Sequence, residues 1–194
     1  MAANVHGAFD GNPVSLLHCN AGIAVGQSTL NSTEADWEFT FNVNVFGVAN
    51  TLRSFVPGMV ERGAPAAVVT TASIAGISAG GGPYGCSKHA VVSLTEALRA
   101  ELGPTVPHLS FHTVCPFIVD TKISTSQRNR PAELDKEGDR SAHMLPGVEQ
   151  GVDVWSDGSG MPPSKVADHL FDAAIESGDF CERAVTPSRV CARV

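Results

Sequence analysis

AAVVTTASIAGISAGGGPYGCSKHAVVSLTEALRAEL, residues 66–102, is the stretch of sequence that decides the fold. Its first part, Ala66–Thr71, is a nearly continuous apolar run, typical of a strand buried on both faces of a sheet. A glycine-rich connection, Gly76–Pro83, follows. The apolar residues then recur at helical spacing, which predicts an amphipathic helix over Tyr84–Leu102. A buried strand leading into a long helix is the repeating unit of parallel sheets.

The same alternation continues on both sides of this stretch. Upstream, Val14–Cys19 (VSLLHC) predicts a buried strand, and Asn31-Ser32-Thr33-Glu34 supplies the capping chemistry that begins a helix running to about Arg62. Downstream, Leu109–Cys115 (LSFHTVC) predicts a third strand that ends at Pro116. Three strands joined by two long helices predict an α/β fold with an open, doubly wound, Rossmann-like parallel sheet.

The remainder of the chain is less regular. After Thr121 the sequence is polar and rich in glycine and proline, and Ser124–Gly160 is too long for an ordinary connection. We expect residues 124–160 to act as a lid over a substrate site. A helix over Ser164–Ser177 and a short strand near Cys181–Val185 complete the expected elements. Residues 1–194 are predicted to form a single domain.

Composition excludes several classes of protein. Of the 194 residues, 43% are apolar and 17% are charged, as in a globular domain. The net charge of −7 argues against nucleic acid as a partner, since binding phosphates requires a basic surface. No apolar run approaches the roughly 18 residues of a membrane span. The five cysteines form no CxxC pair, which favours a reducing compartment, the cytoplasm, and argues against disulfides or a zinc site.

Tyr84, the only tyrosine in the chain, stands four residues before Lys88, so both side chains lie on one face of the predicted helix. A free phenol has a pKa of about 10 and is a poor base at neutral pH. A fixed cation close by is one of the few ways to lower this pKa, so the pair suits acid/base catalysis. The alternative is a surface pair in which the ring packs on the lysine stem, and this spacing alone does not separate the two.

Polar or turn-forming residues follow each of the three predicted strands. Ser73 stands just beyond the AAVVTT strand, Asn20-Ala21-Gly22 follows the VSLLHC strand, and Pro116 ends the third. The carboxyl ends of parallel strands lie at one edge of a sheet, where α/β proteins bind their ligands. These residues are therefore expected to border a single crevice.

Together the motifs resemble those of the short-chain dehydrogenase/reductase family. Their order and approximate spacing match from near residue 5 to about residue 121. The matching segments are His18-Cys19-Asn20-Ala21-Gly22, Asn42-Val43-Asn44-Val45-Phe46-Gly47, Thr71-Ala72-Ser73-Ile74-Ala75-Gly76, Tyr84-Gly85-Cys86-Ser87-Lys88-His89-Ala90 and Cys115-Pro116-Phe117-Ile118-Val119-Asp120-Thr121.

The resemblance implies an NAD(P)-dependent oxidoreductase that interconverts an alcohol and a carbonyl of a small-molecule substrate by hydride transfer. Tyr84 would exchange a proton with the substrate oxygen. Lys88 would lower the pKa of Tyr84 and hold the nicotinamide ribose. Ser73 would hydrogen-bond the reacting oxygen, and Asn44 would position a water that continues the proton relay.

The resemblance also implies the cofactor, which is NAD or NADP, and it implies no metal. Family members associate through the helices that carry Asn44 and Tyr84 here, so we expect a homo-dimer or homo-tetramer. Besides Tyr84 and Lys88, the residues implied to contact the cofactor are Asn20, Ala21 and Gly22 on its adenine-ribose side, and Pro116, Val119 and Thr121 at its nicotinamide amide.

Three features depart from the family pattern. The family opens with a strand, a TGxxxGxG turn, a helix and further strands, and this sequence contains no such turn. We therefore expect a truncated chain whose sheet lacks the first βαβαβ strands. The interval from Ser73 to Tyr84 is about two residues shorter than usual, which a loop absorbs. Phe117 replaces the glycine after Pro116, where a bulky side chain is expected to crowd the nicotinamide or to strain the backbone.

A missing first part has a structural cost. Val14–Cys19 becomes an apolar sheet edge, and unpaired edges promote association. We expect the isolated chain to be poorly stable or to aggregate unless a partner covers this edge.

Other classes of function remain to be weighed. A catalytically silent relative would keep the fold and its helix pair as a subunit or interaction partner, and coenzyme titration separates it from an enzyme. A hydrolase is disfavoured because no GxSxG motif occurs. His108 and His112 flank a predicted strand and share no helix face, so a metal site is not expected there.

Overall fold

In the part of the chain that it describes, the computed structural model shows five strands in one sheet, in the order β1-β2-β3-β4-β5. The first four strands run parallel, and the fifth is antiparallel to the fourth. The strands are β1 (Leu16–Cys19), β2 (Ala66–Thr71), β3 (Leu109–Pro116), β4 (Arg183–Val185) and β5 (Val190–Cys191). The structure describes residues 13–25, 28–79, 81–134 and 160–171, together with the backbone of residues 183–185 and 190–191.

The three predicted strands and their parallel pairing are confirmed. Val68 of β2 lies opposite Leu17 on one side and Phe111 on the other. Both Val68 and its neighbour Val69 are completely buried, as a strand covered on both faces requires. β2 ends where AAVVTT predicts, β1 begins two residues later than expected, and β3 extends one residue further, to Pro116.

The predicted helix upstream of β2 is continuous but contains an irregularity that the sequence did not predict. It consists of α1 (Glu34–Phe41), a π-helical turn (Asn42–Phe46) and α2 (Gly47–Arg62). Thr33 begins it with a capping box, because its hydroxyl accepts from the Asp36 amide at 3.1 Å while Asp36 accepts from the Thr33 amide at 3.0 Å. π-helical turns are rare and are concentrated at functional sites.

The main core lies between one face of the sheet and two helices, α2 and α3 (Gly82–Leu102). The predicted helix over Tyr84–Leu102 is confirmed and begins two residues earlier. Its first residue, Gly82, has a φ of 66°, a left-handed conformation that glycine adopts without strain. The fully or nearly fully buried apolar side chains of this core include Leu17, Cys19, Val48, Leu52, Phe55, Val56, Met59, Val68, Ala72, Val91, Leu109, Phe111 and Cys115.

The region after β3 is only partly described. Within the expected lid, Lys122–Asn129 and Ala132–Leu134 form 3-10 helices, and residues 135–159 lie outside the described residues. Met161 then pairs with the chain after β3, donating its amide to the Ile118 carbonyl at 2.9 Å. α4 (Pro163–Leu170) occupies the start of the helix predicted over Ser164–Ser177, whose remainder beyond residue 171 is not described.

The far C-terminal strands extend the sheet beyond β3. The strand expected near Cys181–Val185 is found at Arg183–Val185 and pairs with Cys115 and Pro116. Val190–Cys191 was not predicted, since two residues carry too little pattern. No helix in the described part of the chain is long and apolar enough to cross a membrane, and the same residues contain no cluster of three potential metal ligands.

The free side of β1 leads to a test of association. Within the described residues β1 pairs with β2 alone, so an apolar strand presents its other edge. We expect the isolated 194-residue chain to self-associate increasingly with concentration, as measured by light scattering. Ser15→Lys places a charge beside this edge and is expected to reduce association, whereas Thr105→Lys, in an exposed turn, is the matched control. A monodisperse chain that unfolds cooperatively would contradict this expectation.

Two glycines give a matched test of packing. A Cβ on Gly76 would lie 2.7 Å from the Lys88 carbonyl oxygen, whereas a Cβ on Gly58, within α2, meets nothing within 4 Å. We expect Gly76→Ala to lower the free energy of unfolding by about 1–3 kcal/mol, because the turn and α3 must separate. Gly58→Ala is expected to raise it by about 0.5–1 kcal/mol through helix propensity. Urea denaturation measures both, and equal effects would contradict the close packing.

Candidate active site

The carboxyl ends of β1, β2 and β3 border one cavity of about 550 Å³. Phe117 also lines it and is 44% exposed there. Ala21 and Asn44 are the two sequence-predicted site residues that are absent from its described lining. The predicted residues that line it are Asn20, Gly22, Ser73, Tyr84, Lys88, Pro116, Val119 and Thr121.

Tyr84 and Ser73 are brought together by a turn and a helix start. Ser73 follows β2 and is 3% exposed, and its hydroxyl accepts from the Ala75 amide at 3.2 Å, which caps the short 3-10 helix Ile74–Gly76. Tyr84 lies in the first turn of α3. Burial raises the pKa of Tyr84 above its usual value, and a hydrogen bond from the Ser73 side chain acts in the opposite direction. The phenol is therefore protonated at neutral pH.

Lys88 lies one helical turn further and is 3% exposed. Its Nζ donates to the Thr71 carbonyl oxygen at 2.9 Å and lies 5.7 Å from the centre of the Tyr84 ring. Burial lowers the pKa of Lys88 to about 8, while an electrostatic interaction with Cys115 acts to raise it.

The pKa of Tyr84 differs in direction from what the sequence suggested for Tyr84 and Lys88. The expectation was that Lys88 lowers the pKa of Tyr84, yet the net direction for the phenol is upward and its lowering contribution comes from Ser73. The reason is that burial disfavours the charged form of both groups, and the ammonium is bonded to a backbone carbonyl.

Asn44 is fully buried in the π-helical turn and binds protein groups with both ends of its amide. Its Oδ1 accepts from the Ile23 amide at 2.8 Å. Its Nδ2 donates to the Ile23 carbonyl at 2.9 Å and to Ser87 Oγ at 2.9 Å. Both amide hydrogens are thereby used, so the side chain clasps the loop after β1 to α3. Its assignment to a water relay stays a prediction.

Gly22 provides the closest approach between this loop and the candidate catalytic groups. A Cβ on Gly22 would lie 3.2 Å from Lys88 Nζ and 3.5 Å from Asn44 Oδ1. The missing side chain leaves the lysine ammonium open to the cavity beside backbone polar groups. Such a cradle fits the hydroxyl groups of a ribose, so these residues would suit a sugar of a dinucleotide.

The structure adds two residues that sequence reasoning did not single out. His18 Nε2 and Thr71 Oγ1 are 2.8 Å apart, and Thr71 Oγ1 donates to Asn20 Oδ1 at 3.0 Å. All three line the cavity, and burial lowers the pKa of His18. The sequence signal that could have identified His18 is the alternation of side-chain direction along β1. His18 lies between the buried Leu17 and Cys19, so its side chain faces the opposite side of the sheet.

The opposite side of the cavity comes from two later segments. The 3-10 helix Lys122–Asn129 contributes polar and apolar groups, and α4 contributes an apolar surface. None of these residues carries a motif in the sequence, so only the folded arrangement identifies them. They are Lys122, Ile123, Ser126, Arg128 and Asn129 from the first segment, and Pro163, Val166, Ala167 and Leu170 from the second.

Comparison with known proteins agrees with this fold. The family model described as short chain dehydrogenase matches residues 2–132 of the 194. A short-chain dehydrogenase/reductase from Burkholderia phymatum, solved in complex with NAD, superposes with a TM-score of 0.78 at 35% identity, covering 90% of this chain and 63% of that one.

Two curated relatives are similar at lower identity. The CLA biosynthesis dehydrogenase/reductase of Lactiplantibacillus plantarum is 29% identical over 172 residues, which are 86% of this chain and 59% of that protein. Carbonyl reductase (NADPH) 2 of Sus scrofa is 31% identical over 125 residues, covering 61% of this chain and 49% of that protein. The chain thus spans about half to three fifths of the length of these two relatives.

The hydrogen bond between Ser73 and Tyr84 leads to a direct test. Because Tyr84 is the only tyrosine, the tyrosinate absorbance during alkaline titration reports its pKa alone. Ser73→Ala removes a donor to the phenolate and is expected to raise the pKa of Tyr84 further. Ser78→Ala, in the same turn, is the control and should leave it unchanged. Circular dichroism identifies the pH range in which the chain stays folded, and a lower pKa in Ser73→Ala would refute this arrangement.

Proposed function

Because this chain belongs to the short-chain dehydrogenase family, we propose that the protein is an NAD(P)-dependent oxidoreductase that interconverts an alcohol and a carbonyl. The observation that carries the proposal is the hydrogen-bonded pair of Ser73 and Tyr84 at the cavity, with the ammonium of Lys88 against the same ring. Two hydroxyl donors for one oxygen atom, with a cation close by, suit a reaction in which negative charge develops on that oxygen.

In this proposal Tyr84 acts as the proton donor for carbonyl reduction. Its raised pKa keeps the phenol protonated at neutral pH, so a proton is available for the substrate oxygen. When bound, the nicotinamide supplies the hydride that adds to the carbonyl carbon. The O–H bond of Tyr84 breaks as the new alcohol O–H bond forms, and alcohol oxidation reverses these changes.

Ser73 and Lys88 have supporting roles. Ser73 hydrogen-bonds the same oxygen and orients it toward Tyr84. Lys88 is mainly protonated at neutral pH, because its pKa of about 8 lies above 7. Besides its bond to the Thr71 carbonyl, the ammonium carries two further N–H donors. In this proposal those donors hydrogen-bond the hydroxyl groups of the nicotinamide ribose.

The proposed coenzyme is NAD or NADP. Lys88 would hold the nicotinamide ribose, Asn20 and Gly22 would line the adenine-ribose side, and Val119 and Thr121 would border the carboxamide. Phe117, which stands where the family has glycine and is 44% exposed in the cavity lining, is expected to crowd the nicotinamide. The cavity lining, the exposed ring of Phe117 and the N–H donors of Lys88 support this placement of the coenzyme.

A catalytically silent relative that acts as a subunit or interaction partner is the second candidate. The observation that favours it is that Asn44 binds protein groups with both ends of its amide, which leaves neither amide hydrogen for the implied water relay. Coenzyme titration by protein fluorescence separates the two candidates. Saturable binding of NADH or NADPH supports the enzyme, whereas no binding to folded chain supports the silent relative.

Tyr84→Phe tests the catalytic role. In a panel of ketones with NADH or NADPH, and of secondary alcohols with NAD or NADP, we expect kcat/KM to fall by roughly 10²- to 10⁴-fold, because the proton donor is lost. Coenzyme affinity should stay unchanged, since the ring is retained. Ser93→Ala, exposed on the same helix, is the control. Undiminished turnover in Tyr84→Phe would exclude this mechanism.

A further inference from the structure

One wall of the cavity is the segment Lys122–Asn129, whose conformation is only weakly stabilised by its own backbone hydrogen bonds. Lys122–Asn129 consists of short 3-10 turns on either side of non-helical angles at Thr125 (φ −103°, ψ 25°). The hydrogen bonds of 3-10 turns are poorly aligned, and such turns occur in short pieces. Contacts from elsewhere in the fold must therefore set the position of this wall.

The strongest of these contacts is an ion pair between residues 94 positions apart. Arg130, directly after the 3-10 helix, donates from Nη2 to Oδ1 of Asp36 on α1. The two side chains are 3% and 11% exposed, respectively. Because a charge shielded from water is costly without its partner, such a pair specifies one arrangement of the two segments.

The arginine also binds residues that precede it and follow it in the chain. Its Nη1 donates to the Leu134 carbonyl at 3.2 Å, and its Nη2 lies 3.3 Å from Gln127 Oε1. The guanidinium stacks 5.5 Å from the centre of the Phe39 ring on α1. Arg130 therefore joins the wall, the following 3-10 turn and α1 through one planar group.

The aspartate is held in place independently of the arginine. Its second oxygen, Oδ2, accepts from the Thr33 amide at 3.0 Å within the capping box of α1. The carboxylate thus has one oxygen fixed by the helix start and the other directed at Arg130. Asp36 is thereby fixed on α1, and through Arg130 it fixes the position of the wall relative to this helix.

A second set of contacts continues from the wall toward Tyr84. Ser126 Oγ accepts from the Ala24 amide at 3.2 Å. Ile23 precedes Ala24, and its amide donates to Asn44 Oδ1. The same Asn44 side chain donates to Ser87 Oγ. Ser87 in turn donates to the Tyr84 carbonyl at 2.7 Å. A small apolar cluster packs between the loop after β1 and α1. It contains Ile23, Val25 and Phe39, with Val43 and Leu134 packed against it.

We propose that Asp36 and Arg130 are positioning residues, which hold the wall Lys122–Asn129 at the distance from Tyr84 and Ser73 that substrate binding requires. The inference rests on the proposed function, since it assigns the cavity beside Tyr84 to the substrate. Neither side chain lines the cavity, so the pair acts through Lys122, Ile123 and Ser126, which do.

Hydrogen exchange tests the positioning without requiring activity. Arg130→Met keeps the length of the apolar stem and removes the charge, and we expect amides of residues 122–134 and of Ala24 to exchange roughly tenfold faster. Amides of α3 should keep their protection. Arg53→Met, an exposed arginine on α2, is the matched control and should change neither region. Equal acceleration throughout the chain, or none, would overturn the proposal.

Two further variants separate positioning from a general loss of stability. Arg130→Lys retains the charge and should restore part of the protection. Asp36→Asn retains an oxygen for the Thr33 amide but removes the charge, so it should resemble Arg130→Met. The effect of the double variant should be smaller than the sum of the two single effects, because both single variants remove the Asp36–Arg130 ion pair. Additive effects would contradict a role as a pair.

Kinetics then tests the link to substrate. With the best substrate of the ketone panel and saturating coenzyme, Arg130→Met should raise KM roughly tenfold and leave kcat within about twofold. A fall in kcat with unchanged KM would overturn the assignment to substrate positioning. If the unsubstituted chain turns over no substrate, the proposed function fails, while the exchange result still decides whether the pair positions the wall.

Discussion

The parallel pairing of β2 with β1 on one side and β3 on the other is the constraint on which the site depends. It places Asn20, Ser73 and Pro116 at one edge of the sheet, although they are far apart in the chain. The Gly76 turn then packs against α3 at Lys88 with no room for a side chain. That contact brings Tyr84 back over the strand ends, so the sheet and a single glycine together establish the candidate catalytic geometry.

Burial has opposite chemical meanings for the two central groups, and this accounts for the protonation states of the site. It raises the pKa of the Tyr84 phenol and lowers the pKa of the Lys88 ammonium, because in each case the neutral form is easier to shield from water. The phenol therefore keeps its proton at neutral pH, and Ser73 offsets part of the cost of releasing it. A protonated phenol beside a hydroxyl is well suited to donating a proton to a carbonyl oxygen.

Sequence reasoning was accurate where local pattern and packing agree. The strands β1, β2 and β3 and the helices on either side of β2 were predicted within about two residues, since apolar periodicity reports burial directly. It missed the π-helical turn at Asn42–Phe46, in which Asn44 bonds the backbone of Ile23, because the residues of this turn follow an ordinary helical pattern in the sequence. It also missed the Asp36–Arg130 pair, because the sequence around neither residue indicates a partner 94 positions away.

The sequence by itself determined the order of strands and helices, the residue types at the strand ends and the spacing of Tyr84 and Lys88. These follow from short-range periodicity and from the glycines and prolines that end each element. Only the tertiary structure decided the direction of the Tyr84 pKa, the use of both Asn44 amide hydrogens within the fold and the anchoring of Lys122–Asn129. The physical reason is that desolvation and buried polar contacts depend on which distant segments exclude water from a group, and chain folding sets that environment.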